Sequence, residues 1–493
     1  MLFFIDLFCG AGGTSTGVEA ARVNGEKCAK VIACVNHDAN AIASHAANHP
    51  DALHFVEDIR TLDTAPLVKH LQECIDQSVD RPTVVLWASL ECTNFSRAKG
   101  GLPRDADSRT LAEHLFRYID AIKPDYVMIE NVEEFMWWGG LDADGHPIKE
   151  ERGKLYRQWV DHVCRYGYRF DYRILNSADF GAYTTRKRFF CIFAHGDLPI
   201  VFPQPTHSKS GNPPLQKWNA VREVLDMDDV GDSIFGRKKP LVDRTLERIY
   251  AGLVKFVSGG KEQFEADREH FLCKHYSGHP DSKNLSVNGP AGTITTVDHH
   301  AFLTAYYGNG HNHSVNAPSP TLTTKDRLAF VDMQYGNGTP SDKRLPAPTV
   351  TTNPKHQLVF IRRRQFLVNP QYSSSGASVD KPSFTLIARM DKRPPSIVSA
   401  EDGIAEIAIQ AGDTPAMIKI KEFMRIYGIV DIKMRMLRVH ELKRIMGFPG
   451  NYILVGTIAD QKKFIGNAVE TNTACAMTVS LWMALQQYEK VVI

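Results

Sequence analysis

The chain has 493 residues, 43% of them hydrophobic and 23% charged, and 58 Lys plus Arg against 56 Asp plus Glu leave a formal net charge of +2. These are the proportions of ordinary globular proteins, so a largely disordered chain is excluded, and the length allows two to four domains at about 100–200 residues each. A near-neutral sum neither demands nor excludes a nucleic-acid partner, because local patches decide that.

The first element, Leu2–Phe8, is a short apolar run ending in Gly10, Gly12 and Gly13, which predicts a buried strand entering a tight turn. It lacks the basic start of a secretory signal, and no stretch approaches the ~18 apolar residues of a membrane span. Thr14–Val23 is predicted as the following helix, Val31–Val35 as a second strand and Ala39–Asn48 as a second helix. Thr83–Ala88 is a β-branched run; Leu111–Ile122 has helical spacing; Tyr126–Ile129 and Arg188–Phe193 are further buried strands. Strands alternating with helices predict right-handed crossovers and a mostly parallel sheet covered on both faces.

From about Pro203 the composition shifts to Pro, Gly, Ser, Thr and Asn, and a repeat emerges. Pro290-x-x-Thr293-x-Thr295-Thr296 recurs at 318–324 and at 346–352, and Tyr307-Gly308-Asn309-Gly310 recurs at 335–338, all at offsets of 28 residues. Pro382–Leu386 resembles a fourth Pro/Thr element. Each unit reads as a turn, a TxTT strand, a short apolar strand (Ala301–Tyr306, Leu328–Met333, Leu358–Ile361) and a glycine turn, a pattern that predicts a small β-built domain with repeated loops. Helical spacing returns after about Ile418, with a short helix at Arg438–Met446 and a terminal one at Glu470–Gln487, as if the chain returned to its first domain.

The nine cysteines (9, 28, 34, 74, 92, 164, 191, 273, 475) are odd in number, dispersed and without any C-x-x-C, so neither a disulfide framework nor a zinc cluster is expected; a reducing cytoplasm is the natural setting. Most should be small buried hydrophobes. Cys92 differs, because it lies in Glu91-Cys92-Thr93-Asn94-Phe95-Ser96, a loop just past a strand end and suited to a nucleophile. Glu130-Asn131-Val132 ends another strand at the same edge, and Arg186-Lys187-Arg188 leads into a third. Taken singly, each segment has a bland reading: a structural turn for the glycines, a half-buried thiol, a helix-capping acid, a solvated basic turn. His299, His300, His311 and His313 lack cysteine or acid partners at ligand spacing, and no metal is expected there or elsewhere.

Taken in order, these segments resemble the cytosine-C5 DNA methyltransferases. Residues 6–13 fit that family's D-L-F-x-G-x-G-G motif, Glu91–Ser96 resembles its P-C-Q-x-F-S loop, and Glu130–Val132 is its E-N-V motif. Thr184–Arg188 resembles Q-x-R-x-R; Arg435, Leu437, Glu441 and Gly447–Pro449 resemble the late R-x-L-x-x-x-E…G-F-P motif; Gly466–Val469 is G-N-A-V. The likeness spans nearly the whole chain, with the middle insert matching in placement only. It implies an α/β protein: a Rossmann-like, AdoMet-dependent methyltransferase sheet over about 1–200, completed by 462–493, and a smaller β-rich target-recognition domain over about 201–461. S-adenosylmethionine (AdoMet) would be the cofactor, held by Phe8, Gly10, Gly12, Gly13, Asn36, His37, Asp58, Asn467 and Val469. The catalytic set implied is Cys92, Glu130, Arg186 and Arg188, acting on a flipped cytosine in a specific duplex DNA sequence.

The chemistry is coherent without the family. Cytosine C5 is a poor nucleophile until a thiolate adds at C6 and makes the ring an enamine. Nearby Arg186 and Arg188 would raise the thiolate fraction of Cys92, Glu130 would hold N3 and the exocyclic amine, and Arg188 would hold O2 where negative charge develops. No side chain identifies itself as the base for the C5 proton, which leaves that step open to a water. Several positions depart from the family. Glu91 replaces proline and would oppose thiolate formation if it faced Cys92; Thr93, Thr184 and Phe464 each replace Gln; Asn36 replaces a ribose-bridging Glu and predicts weaker AdoMet affinity. Residues 361–450 hold 15 Lys/Arg and 9 Asp/Glu, including Arg362-Arg363-Arg364, a surplus suited to phosphate contacts. A cytoplasmic monomer acting on duplex DNA is expected, with three settings open: beside a separate cognate restriction endonuclease, alone as an epigenetic mark, or as the shield of a mobile element. The alternatives are an RNA cytosine-C5 methyltransferase and a catalytically weak DNA-binding homologue.

Overall fold

A strand that is apolar on both faces is stable only when both faces of its sheet are covered, and Leu2–Leu7 (β1), buried along its whole length, is such a strand. In the computed structural model the described residues are 1–90, 110–257, 363–369, 376–387, 390, 395–402 and 407–492, with short strands at 271–274, 284–286, 300–303, 328–333, 341–342 and 356–361. After β1 come α1 (Gly13–Ala20), β2 (Ala29–Asn36), α2 (Ala39–Asn48), β3 (Leu53–Val56), α3 (Ala65–Asp76) and β4 (Thr83–Ser89). They are followed by α4 (Leu115–Ile122), β5 (Tyr126–Asn131), α5 (Lys154–Cys164), β6 (Tyr168–Asn176) and β7 (Lys187–His195). The seven strands form one sheet in the order β3-β2-β1-β4-β5-β7-β6. Neighbours from β3 to β5 are parallel, and β7 runs antiparallel to both β5 and β6. This is the mostly parallel, Rossmann-like sheet that the sequence predicts.

Alternation within β1 divides the core. Phe3, Ile5 and Leu7 join Leu67 and Leu71 of α3, Tyr118 and Ile119 of α4 and Trp159 of α5 on one face. Leu2 and Phe4 join Trp87, Phe190, Val18 of α1 and Met477, Leu481 and Leu485 of the terminal helix on the other. Each such aromatic or aliphatic side chain contributes roughly 1.5–3 kcal/mol by leaving water. The helix after the first turn is shorter than the Thr14–Val23 predicted. Asn24 (φ 52°) and Gly25 (φ 83°) are both left-handed and fold Arg22–Val23 back onto Glu26–Lys27 as a two-residue hairpin. The Leu111–Ile122 pattern divides into a 3-10 turn at Thr110–Ala112 and α4, and β5 extends through Glu130 and Asn131, so both are strand residues.

The chain forms two compact units: residues 1–229 with 378–395 and 436–493, and residues 230–377 with 396–435. These limits differ from the sequence division at 200/201 and 461/462. The fourth Pro/Thr element is within the first unit, where Ser383 bridges Thr184 in parallel and accepts a 2.9 Å hydrogen bond from the Thr185 amide on its carbonyl.

In the second unit, α6 (Asp243–Phe256) precedes three-stranded antiparallel sheets built from β8 (Phe271–Lys274), β9 (Asn284–Ser286) and β10 (His300–Leu303), and from β11 (Leu328–Met333), β12 (Ser341–Asp342) and β13 (His356–Ile361). β10, β11 and β13 begin 28 residues apart, in step with the repeat. The TxTT copies at 290–296, 318–324 and 346–352, the glycine turns at 307–310 and 335–338, His299, His311, His313 and Arg362 lie outside the described residues. A third sheet holds β14 (Arg363–Val368), β15 (Ser396–Asp402) and β16 (Ile429–Met436). Phe366, Val398 and Ile432 of that sheet pack with Leu246, Ile249 and Leu253 of α6 and with Ile420 and Phe423 of α7 (Pro415–Tyr427), so this unit is not β alone. The first unit closes with α8 (Val439–Ile445), α9 (Ile458–Asn467) and α10 (Thr471–Val492).

Candidate active site

The strand order turns back between β1 and β4, since β2 and β3 lie on one side of this pair and β5 on the other. In open parallel sheets a crevice forms at the carboxyl ends of strands at such a switch point. The sequence-predicted residues gather along that edge. Phe8 follows β1, Asn36 ends β2, Asp58 follows β3, Leu90 follows β4, and Glu130 and Asn131 end β5. Cys92, with Glu91 and Thr93, falls in 91–109 and lies outside the described residues. The approach to it is described: Asn131 Nδ2 donates to the Leu90 carbonyl at 3.4 Å, which fixes the chain two residues before Cys92.

The turn after β1 has an unusual backbone. Phe8 (φ 59°), Gly10 (φ 53°) and Gly12 (φ 97°) are left-handed, a conformation that costs a non-glycine residue such as Phe8 on the order of 1 kcal/mol. A Cβ on Gly13 would press on the backbone of Val469, and one on Gly12 on the Tyr452 hydroxyl; at Gly10 nothing lies within 4 Å. The turn is thus packed beneath and open above. It is tied down by the Cys9 amide to the Val35 carbonyl at 3.2 Å, and by the Tyr452 hydroxyl to the Ala11 carbonyl at 2.5 Å. Val469 is buried, whereas His37 and Asn467 are exposed.

At the ends of β2 and β3 the polar groups are partly engaged. Asn36 Oδ1 accepts from the Asp38 amide at 2.9 Å, and Asp38 caps α2. Arg60 forks onto Asp58 with a shortest distance of 2.6 Å and holds its carboxyl at about 2. Arg117 and Tyr118 of α4 bond the carbonyls of Ile59, Arg60 and Leu62, shaping the loop that carries Asp58. No motif in the sequence marks that bracing.

On the other side of the switch point, Glu130 is buried and its Oε1 lies 3.3 Å from Arg188 Nε. Burial pushes the Glu130 carboxyl up, against the opposing pull of Arg188 and then Arg186. Arg186 is itself buried and donates to the carbonyls of Leu386 at 2.9 Å and Gly466 at 3.2 Å, so its guanidinium binds this unit's own backbone. Thr184 is buried and bonds the Phe384 carbonyl at 3.2 Å. The late motif is a scaffold too. Glu441 accepts from the amides of Asp226 at 2.9 Å and Arg438 at 2.7 Å, which caps α8, and Gly447 (φ 78°) turns the chain towards Phe448 and Tyr452.

Beneath the glycine turn is a cluster that the sequence did not single out. The Cys9 and Cys34 sulfurs and a ring nitrogen of His45 lie within 4.8 Å of one another, all buried, with His54 beside them. The neighbouring Cys9 thiol, then the imidazoles of His45 and His54, hold the Cys34 thiol down at about 4, while burial pushes Cys9 up.

Against known proteins, the family described as C-5 cytosine-specific DNA methylase matches residues 2–481. The chain is similar to the type II methyltransferase M.AgeI of Thalassovita gelatinovora, 29% identical over 204 residues that make up 41% of this chain and 42% of that protein. It is also similar to the type II methyltransferase M1.HphI of Haemophilus parahaemolyticus, 27% identical over 210 residues, 42% of this chain and 50% of that protein. The matched stretch therefore spans half or less of each relative's length. A solved structure of the S. pombe Dnmt2 methyltransferase aligns over 99% of both chains with 11% identity and a TM-score of 0.47. No helix among the described residues is long and apolar enough to cross a membrane.

Proposed function

The chain belongs to the C-5 cytosine-specific DNA methylase family, and from that premise we propose that it methylates C5 of cytosine in duplex DNA with AdoMet as the methyl donor. The observation that supports this most is the convergence of the glycine turn, Asn36, Asp58, Leu90 and the Glu130–Arg188 pair on one carboxyl edge of the sheet. The turn fits a cofactor, because its backbone is left-handed at Phe8 and Gly10 and the space a Gly10 side chain would fill is open. When bound, AdoMet supplies an electrophilic methyl group. Phe8, Gly10, Gly12 and Gly13 would line it, Asn36 and His37 would meet its ribose, and Asn467 and Val469 would complete the wall. Asp58 would accept from the adenine amine with the lone pairs that Arg60 leaves it.

The cytosine is taken out of the stack to reach the site. Cys92 adds as thiolate to C6, Glu130 donates its proton to N3, and electron density moves to C5. A raised Glu130 pKa suits that donation, and Arg188 both pairs with Glu130 and faces the charge growing at O2. After methyl transfer water takes the C5 proton, the Cys92 thiolate is expelled and N3 returns its proton to Glu130. Arg186 acts here as a positioning residue, through its two carbonyl bonds. Residues 201–461, with their 28-residue sequence repeat, would read the DNA sequence, and the type II relatives favour a separate restriction endonuclease as companion. Bisulfite sequencing of DNA from cells expressing the wild-type chain and Cys92→Ser tests this. Methylcytosine in one recurring context, lost in the variant, is expected; unmodified DNA despite folded wild-type protein would refute the reading and send the search to RNA acceptors.

A further inference from the structure

We propose that Cys9, Cys34, His45 and His54 form a tetrahedral site for one zinc-class divalent cation under the glycine turn. The sheet register assembles it. Asp6 of β1 pairs with Cys34 of β2, and Cys34 pairs with His54 of β3, so the three side chains stand in one row on one sheet face. Helix α2 brings His45 to that row, and Cys9 follows from the end of β1.

The distances match the coordination chemistry. His45 Nδ1 lies 3.6 Å from Cys34 Sγ and 3.0 Å from His54 Nε2. Zinc bonds of about 2.3 Å to sulfur and about 2.0–2.1 Å to nitrogen, set tetrahedrally, put S···N near ~3.6 Å and N···N near ~3.3 Å. A buried polar chain stands behind the imidazole: His45 Nε2 lies 2.9 Å from Ser15 Oγ, which lies 2.8 Å from Asp6 Oδ2. With Nε2 engaged there, Nδ1 is the ring nitrogen on the side of Cys34 and His54. Polar groups bonded behind a ligating imidazole are the usual outer shell of a zinc histidine. Two sulfurs and two imidazole nitrogens suit a soft or borderline cation, not calcium or magnesium. His54 is half-buried, unlike the other three, and gives the ion its route in.

His49 is not a ligand in this arrangement. Its ring is 4.8 Å from that of His45, and its Nε2 lies 3.2 Å from Thr16 Oγ1 and 3.3 Å from the Tyr452 hydroxyl. The cation would join β1, β2, β3 and α2 immediately below the turn. It departs from the sequence expectation of no metal, and it is independent of the methyl-transfer reading because its test reads metal and not activity.

The full-length chain would be stripped with chelator under reducing conditions, confirmed folded by circular dichroism, and equilibrated with Zn2+ or Co2+ alone. One zinc per chain by mass spectrometry is expected. With Co2+, the strong visible bands of a tetrahedral site and sulfur-to-metal charge-transfer absorption are expected. Cys34→Ser should remove about half of the charge-transfer band, since one of the two sulfurs is lost. His54→Gln, at the most exposed ligand and so the mildest for folding, should weaken zinc binding at least ~10-fold. A folded, reduced wild-type chain that takes up no stoichiometric zinc, shows a weak octahedral Co2+ spectrum, or forms a Cys9–Cys34 disulfide in the presence of Zn2+ would overturn the proposal.

Discussion

On the β1–β3 side of the switch point, Asn36 and Asp58 stand at the edge over a second set of polar side chains: Asp6, Cys34 and His54 form a row, with Ser15 and His45 bonded to it from the helices. On the β5–β7 side the polar side chains lie at the edge, where Glu130 and Arg188 meet as a buried ion pair. The row stands behind a backbone turn. The ion pair puts a carboxyl group with a raised pKa at the edge itself. On the proposed reading, one sheet edge holds a rigid cradle and a proton donor next to each other, because side chains that support and side chains that react occupy different depths.

The sharpest way to break this comparison is Glu130→Gln. On the reactive side it should cut kcat for methyl transfer by about 10²–10⁴-fold while AdoMet affinity, measured calorimetrically, stays put. The wild-type rate should fall as pH rises through the raised Glu130 pKa, since the protonated form is the donor, and the variant should lack that limb. Equal losses in kcat and AdoMet affinity would mean that the two sides are not separate. Next in size is Arg186→Met, which leaves the Leu386 and Gly466 carbonyls without their buried donor. It should cost about 2–4 kcal/mol in chemical denaturation. Undiminished stability with a raised KM for DNA would instead make Arg186 a substrate-contacting residue. The smallest change is on the cradle side. Asn36→Glu should tighten AdoMet binding about fivefold by replacing a neutral acceptor with a charged one. Unchanged affinity would show that position 36 serves only its turn with the Asp38 amide.

Much of the sheet was legible because buried parallel strands are contiguous apolar runs, and Leu2–Leu7, Thr83–Ser89 and Tyr126–Asn131 stand within a residue or two of where their sequence puts them. The 28-residue spacing likewise reappears in the starts of β10, β11 and β13. What escaped was whatever is made by pairing across distance. Cys9, Cys34, His45 and His54 span 46 positions without a ligand motif, and only strand register puts them together. Read singly, each cysteine is a small hydrophobe. Arg186 resembles a substrate-facing residue by motif, yet the carbonyls it bonds belong to residues 200 and 280 positions later. Helix α6 is hidden in the sequence by the Pro/Gly composition around it, and its apolar face is explained only by the sheet it packs against.

The Tyr452 hydroxyl reaches the Ala11 carbonyl across 441 positions, and Gly13 is pressed against Val469. A ribosome adding about 5–20 residues per second needs roughly 20–90 seconds to cover that interval. Throughout that time the emerging sheet has its glycine turn but not the residues that brace it. A chain stalled in the repeats has the glycine turn without Tyr452 and Val469 against it, so on the proposed reading methyl transfer waits for translation past position 469.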